Sequence, residues 1–184
     1  MKLTTLLPLC LLLLVFSLGA CRSNTTTTEA AATAPTVVYL VRHAEKATAD
    51  PANEDPDLTP AGVTRAEALR ALLEEEQVDA LYATKYLRTI NTLKPLADTR
   101  QLNIRQYEAH DFNTLKQQIL QNHRGETVVI AGHSNTVLPI LEAFGVERPV
   151  ADIPDNTYDY LFKLTVAPSG TAFVEVSQFG NPSR

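Results

Sequence analysis

The feature that most constrains this chain is Val37–Arg42, VVYLVR, an apolar run rich in β-branched and aromatic residues that ends abruptly in Arg42-His43-Ala44-Glu45. A strand wet on one face alternates apolar and polar residues, so an unbroken run predicts a strand buried on both faces of a parallel sheet. Ligands of open α/β sheets bind beyond the carboxyl ends of such strands. A second run of the same kind, Thr127–Ala131 (TVVIA), finishes in Gly132-His133-Ser134-Asn135. Two histidines 90 positions apart can therefore meet at one sheet edge.

The intervening elements fit that sheet. Thr59 is placed to cap a helix with Pro60 at its first position, and Val63, Ala66, Leu69, Leu72 and Leu73 give it an apolar face, ending near Gln77. Val78–Ala83 reads as a short strand, and Thr84–Thr89 opens a helix running to about Ala97. A weaker strand over Leu102–Tyr107 precedes a helix from Phe112 to about His123, and another helix follows over Thr136–Phe144. Tyr158–Val166 and Thr171–Ser177 alternate around Ala167-Pro168-Ser169-Gly170, the pattern of a hairpin. Strands alternating with helices, then a hairpin, predict a three-layer α/β/α sandwich with a mostly parallel sheet and an antiparallel C-terminal addition.

The first 36 residues stand apart from this pattern. Met1–Ala20 carries one basic residue, Lys2, and a leucine-rich run to Leu18, which reads as a secretory signal. Leu18-Gly19-Ala20-Cys21 resembles the lipobox of bacterial lipoproteins, in which the signal is cut before the cysteine. That resemblance implies a lipid on Cys21 and export to the cell envelope, with the membrane as a partner. Residues 22–35, RSNTTTTEAAATAP, cannot bury enough surface to offset their ordering entropy. As a flexible tether they reach about 20 Å. The reading thus divides the chain into a signal at 1–20, a lipidated cysteine and tether at 21–36, and one domain at 37–184. Both cysteines, Cys10 and Cys21, lie before the domain, so it has neither a disulfide nor a cysteine-based metal site.

A net charge of −5 argues against a nucleic-acid surface, which needs clustered Lys and Arg to replace counterions. Phosphate recognition, if present, is confined to a local pocket. No His-x-His, HExxH or Asp-x-Asp spacing occurs, and arginines beside the histidines would repel a cation, so neither a metal nor another cofactor is expected.

RHAE after a strand, LTPAG (Leu58–Gly62) opening a helix, Arg88 in a helix after a strand, and AGHSN (Ala131–Asn135) occur in that order. Together they resemble the histidine phosphatase superfamily, the fold of phosphoglycerate mutases and acid phosphatases. The resemblance spans Val37 to the C-terminus. The mutase branch carries larger insertions and usually a glycine where Ala44 stands, so the chain looks more like the small phosphatase members.

That resemblance implies His43 as a nucleophile forming a phosphohistidine, with Arg42, Arg88 and His133 clamping the phosphoryl oxygens. Paired guanidinium N–H donors suit phosphate, and donors fixed in advance stabilise the transition state without reorganising. It also implies a carboxylate general acid from the segment after the third strand, where Glu108 and Asp111 both stand. Glu108 is nearer the strand end and reaches further; Asp111 has the alternative use of capping the next helix. Glu45 is expected to bind an arginine or a backbone N–H, and Lys46 and Ser134–Thr136 to add phosphate contacts or shape the loops. His110 and His123 are expected on the surface. The expectation is a phosphatase acting on small-molecule, glycan or lipid phosphomonoesters. The alternatives are a phosphate-ligand-binding lipoprotein with little turnover, or a phosphohistidine-protein phosphatase, which export disfavours.

Overall fold

A computed structural model of the protein describes residues 34–183, so the signal, Cys21 and most of the tether lie outside the described residues. Six strands and four helices follow in order: β1 (Thr36–Arg42), α1 (Pro60–Leu72), β2 (Ala80–Ala83), α2 (Leu87–Arg100), β3 (Ile104–Gln106), α3 (Phe112–Asn122), β4 (Thr127–Gly132), α4 (Val137–Ala143), β5 (Tyr160–Val166) and β6 (Ala172–Gln178). They form one sheet of order β3-β2-β4-β1-β5-β6. β3, β2, β4 and β1 run parallel, while β5 pairs antiparallel with both β1 and β6. The expected sandwich with its terminal hairpin is the fold observed.

The period of two along the strands sorts side chains to the two faces. Val38 and Leu40 of β1 and Val128 and Ile130 of β4 pack toward Leu115 and Ile119 of α3 and Leu138, Ile140 and Leu141 of α4. The alternate positions, Tyr39, Val41, Val129 and Ala131, pack toward Leu69 of α1 and Leu93 and Leu96 of α2. Each aliphatic side chain removed from water this completely contributes roughly 1.5–3 kcal/mol before entropy is subtracted. The apolar character of β1 and β4 on both faces follows from being covered twice.

Thr59 caps α1 as expected, its Oγ1 accepting from the Gly62 N–H at 3.1 Å with Pro60 at the first position. The inward face of α1 differs from the apolar stripe, however. Val63 and Leu72 are half exposed, whereas Arg65 is buried beside Ala66 and Leu69. Arg65 wins the inward place because its guanidinium meets the Glu45 carboxylate at 2.7 Å and donates to the Phe179 and Asn181 carbonyls. Gly62 lies against the main chain of Glu45 so closely that a Cβ there would collide with it.

The helix also stops at Leu72 rather than near Gln77. Three glutamates in succession, Glu74–Glu76, are unfavourable at the negative end of a helix. Arg100, from the end of α2, takes the carbonyls of Leu73, Glu74 and Glu76 instead. At the other end, α2 begins at Leu87 rather than at Thr84, capped from a distant loop: the Leu87 N–H donates to Asp55 at 3.0 Å. His123 is the clearest departure. Expected at the surface, it is buried, accepting or donating at Nε2 with the Tyr82 hydroxyl at 3.1 Å and at Nδ1 with Glu126 at 2.7 Å.

Candidate active site

Sheet register brings the two motif histidines together. Arg42 stands opposite Gly132 across the β1–β4 ladder, and the His43 N–H donates to the Gly132 carbonyl at 2.8 Å. The next residue on each strand therefore leaves the sheet at the same edge, about one strand spacing from its neighbour. The two imidazole centroids lie 5.4 Å apart, with the rings edge to face. His43 Nδ1 lies 2.8 Å from the carbonyl of Ala44, an acceptor that requires Nδ1 to carry the proton and leaves the lone pair on Nε2. The Ala44 N–H is in turn held by the Thr92 hydroxyl at 2.8 Å, which ties this turn to α2.

The arginines close on the pair from two sides. Arg42 is buried, its Nη1 donating to the carbonyls of Pro154 at 2.7 Å and Thr157 at 3.1 Å, with its guanidinium 4.3 Å from the centre of the Tyr158 ring. Arg88, in the first turn of α2, lies over the Tyr86 ring at 4.2 Å, and its Nη1 is 3.6 Å from Asp55. Each guanidinium is thus fixed at one end. The Nε of Arg42 and the Nε of Arg88 are buried and find no acceptor among the described residues. Both arginines line one cleft, and an anion entering it would offset the positive charge they hold there.

Charge and burial set the protonation of both rings. Burial, then the nearby charges of Arg42, His133 and Arg88, overcome the Ala44 hydrogen bond and pull His43 from 6.5 to about 3. Burial, then Arg88, Arg42, His110 and Lys46, pull His133 down to about 4. Both imidazoles are neutral at pH 7. The surrounding cleft has a volume of about 870 Å³, and its lining includes Lys46, Lys85, Glu108, His110 and Asn135 besides the residues already described. Among the described residues, no three His, Cys, Asp or Glu side chains gather closely enough to hold a metal ion.

A sequence profile of the Histidine phosphatase superfamily (branch 1) matches residues 38–110, the stretch that contains the first motif, Arg88 and Glu108. Over that stretch the chain is similar to the histidine phosphatase superfamily. Among solved structures, the protein histidine phosphatase SixA complexed with tungstate superposes with a TM-score of 0.63 at 18% identity, over 77% of this chain and 96% of that one. YhfR of Bacillus stearothermophilus gives 0.63 at 22% identity over 77% and 96%. A mycobacterial glucosyl-3-phosphoglycerate phosphatase gives 0.59 at 10% identity over 78% and 98%. At such identities these likenesses establish the fold alone. A search of curated protein sequences finds no match.

Within the cleft the two acid candidates separate. Asp111 is the N-cap of α3, its Oδ1 accepting from the Thr114 N–H at 3.1 Å. Glu108 is exposed at the cleft wall, and no hydrogen-bond partner holds its carboxylate among the described residues. Glu45, as one of its expected uses has it, binds an arginine, Arg65. Tyr86 and Tyr158, which seat the two guanidiniums, escaped the sequence reading, as did Thr84, Thr92 and Asp55. Contacts of this kind leave no periodic trace; only the proximity of Tyr86 to Arg88 in sequence pointed to one of them.

Proposed function

We propose that the protein is a metal-independent phosphoric monoester hydrolase that works through a phosphohistidine on His43. The observation that carries this reading is that Arg42 and Arg88 line one cleft beside a neutral His43 whose Nδ1 proton is committed to Ala44. A guanidinium on each side neutralises the phosphoryl oxygens as charge develops on them, while the lone pair on Nε2 supplies the nucleophile.

In the first half-reaction His43 Nε2 forms a bond to phosphorus as the phosphorus–oxygen ester bond breaks. The departing oxygen takes a proton from the Glu108 carboxyl. In the second, water attacks phosphorus and gives its proton to the Glu108 carboxylate; the nitrogen–phosphorus bond breaks and its electron pair returns to Nε2, releasing phosphate. Arg42, Arg88 and His133 hold the three equatorial oxygens throughout.

The exposure of Glu108 favours a second reading, in which the same pocket binds a phosphorylated ligand and turns it over poorly. Trapping decides between them. The soluble chain from Thr25 is mixed with p-nitrophenyl phosphate and quenched; an acid-labile, base-stable phosphoenzyme that disappears in His43→Ala supports the hydrolase. Phosphate binding without label on the protein and without released p-nitrophenol overturns it. Export and a lipid on Cys21 are part of the proposal, supported by Leu18–Cys21 and by a tether long enough to hold the cleft away from a membrane.

A further inference from the structure

Behind His133 lies a chain of hydroxyls that the reaction scheme does not use. His133 Nε2 is 3.0 Å from the Thr84 Oγ1, which is 2.8 Å from the Thr89 Oγ1. Both threonines are buried, so water does not compete. The Thr89 hydroxyl has carbonyls at 2.7 Å (Tyr86) and 3.0 Å (Thr84) within reach, stronger acceptors than the Thr84 hydroxyl at 2.8 Å, so its single proton goes to a carbonyl. Thr89 therefore only accepts from Thr84. That leaves the Thr84 proton with two acceptors, Thr89 Oγ1 and His133 Nε2.

The choice matters at the opposite side of the ring. When Thr84 donates to Nε2, neutral His133 carries its proton on Nδ1, a nitrogen without a partner among the described residues. When Thr84 donates to Thr89, His133 carries its proton on Nε2 and leaves a bare lone pair on Nδ1 of a ring that lines the cleft. Phosphoryl oxygens accept hydrogen bonds and are repelled by a lone pair, so only the first arrangement serves the site.

We propose that Thr84 is a positioning residue that sets the tautomer of His133, presenting Nδ1–H to the phosphoryl oxygens. The inference rests on the assignment of the cleft as a phosphate site, and takes no part of the bond-breaking steps for itself. It makes the second residue of the Ala83-Thr84-Lys85-Tyr86 turn part of how the site works rather than a link between β2 and α2. Thr89 competes with His133 for the Thr84 proton.

Nitrogen-15 NMR of the imidazoles, with and without inorganic phosphate, reads the tautomer directly, and steady-state turnover of p-nitrophenyl phosphate reads its consequence. In the native protein phosphate drives His133 to the Nδ1–H form. Thr84→Val, which keeps the shape and loses the hydroxyl, abolishes that shift and lowers kcat about tenfold, the effect of one lost hydrogen bond. Thr84→Ser restores both. Thr89→Val removes the competing acceptor and leaves His133 in the Nδ1–H form even without phosphate, so the two valine variants move the tautomer in opposite directions. A structural role alone moves neither. An unchanged His133 tautomer in Thr84→Val, or the same tautomer in both valine variants, overturns the inference. Because the spectra need phosphate rather than turnover, a protein that hydrolyses nothing but shows these shifts keeps the inference and loses the hydrolase.

Discussion

Keeping His43 neutral has a cost that shows as acid sensitivity, and replacing it with glutamine should remove that cost. An unfolded chain binds a proton at an imidazole near pH 6.5, whereas the folded His43 resists until about 3. Between those values the unfolded state holds more protons than the native one, so stability falls as pH falls, and the loss is complete near pH 3. At pH 4.5 the imbalance amounts to about 2 pH units, or about 3 kcal/mol relative to pH 7. His43 is buried enough for that figure to stand without a discount for solvent screening. Urea unfolding followed by circular dichroism at pH 7 and pH 4.5 measures it, since the chain has no tryptophan to report. The native protein should lose about 3 kcal/mol more than His43→Gln over that interval, whatever the variant does to turnover. Equal losses in the two proteins would mean that His43 titrates normally in the fold, and the argument for a neutral nucleophile at low pH would fail with it.

Three further outcomes are expected. Glu108→Gln should slow an alkyl phosphate, whose leaving oxygen needs a proton, by roughly 10²–10⁴ while leaving p-nitrophenyl phosphate less affected; the ratio of the two kcat/KM values is the measurement, and Asp111→Asn should leave that ratio unchanged. Arg65→Met strands the Glu45 carboxylate and frees the carbonyls of Phe179 and Asn181, and should lower unfolding stability by about 3–5 kcal/mol in urea titrations. Cys21→Ser should shift the protein from membrane to soluble fractions of a bacterial host and abolish incorporation of radiolabelled palmitate.

The split between what could and could not be read in the sequence follows the range of each interaction. β1 and β4 were legible because burial on both faces demands apolar residues at every position, and the two histidines were legible because each interrupts such a run at its end. The inward face of α1 was not, since a hydrophobic stripe ranks Val63 and Leu72 above Arg65. The partner that reverses the ranking, Glu45, sits 20 residues away and becomes a neighbour only after the helix folds back on β1. His123 was misplaced for the same reason: position near a helix end suggests solvent, while Tyr82 and Glu126 enclose it.

The same limit explains why the proposed phosphate cleft reads from its charged residues and not from what holds them. Arg42 and Arg88 lie in motifs, yet a guanidinium on a flexible stem clamps nothing unless its rotamers are removed. Here the Pro154 and Thr157 carbonyls and the Tyr158 ring do that for one arginine, and the Tyr86 ring with Asp55 does it for the other. Those supports come from the loop after β1, the turn after β2 and the segment before β5, three parts of the chain that share no pattern. Glu108 has no such support among the described residues. The contrast places the rigid half of the site around the phosphoryl group and the movable half around the leaving group, so substitutions at Tyr86 or Tyr158 should lower kcat for every substrate alike, whereas those at Glu108 should discriminate among leaving groups.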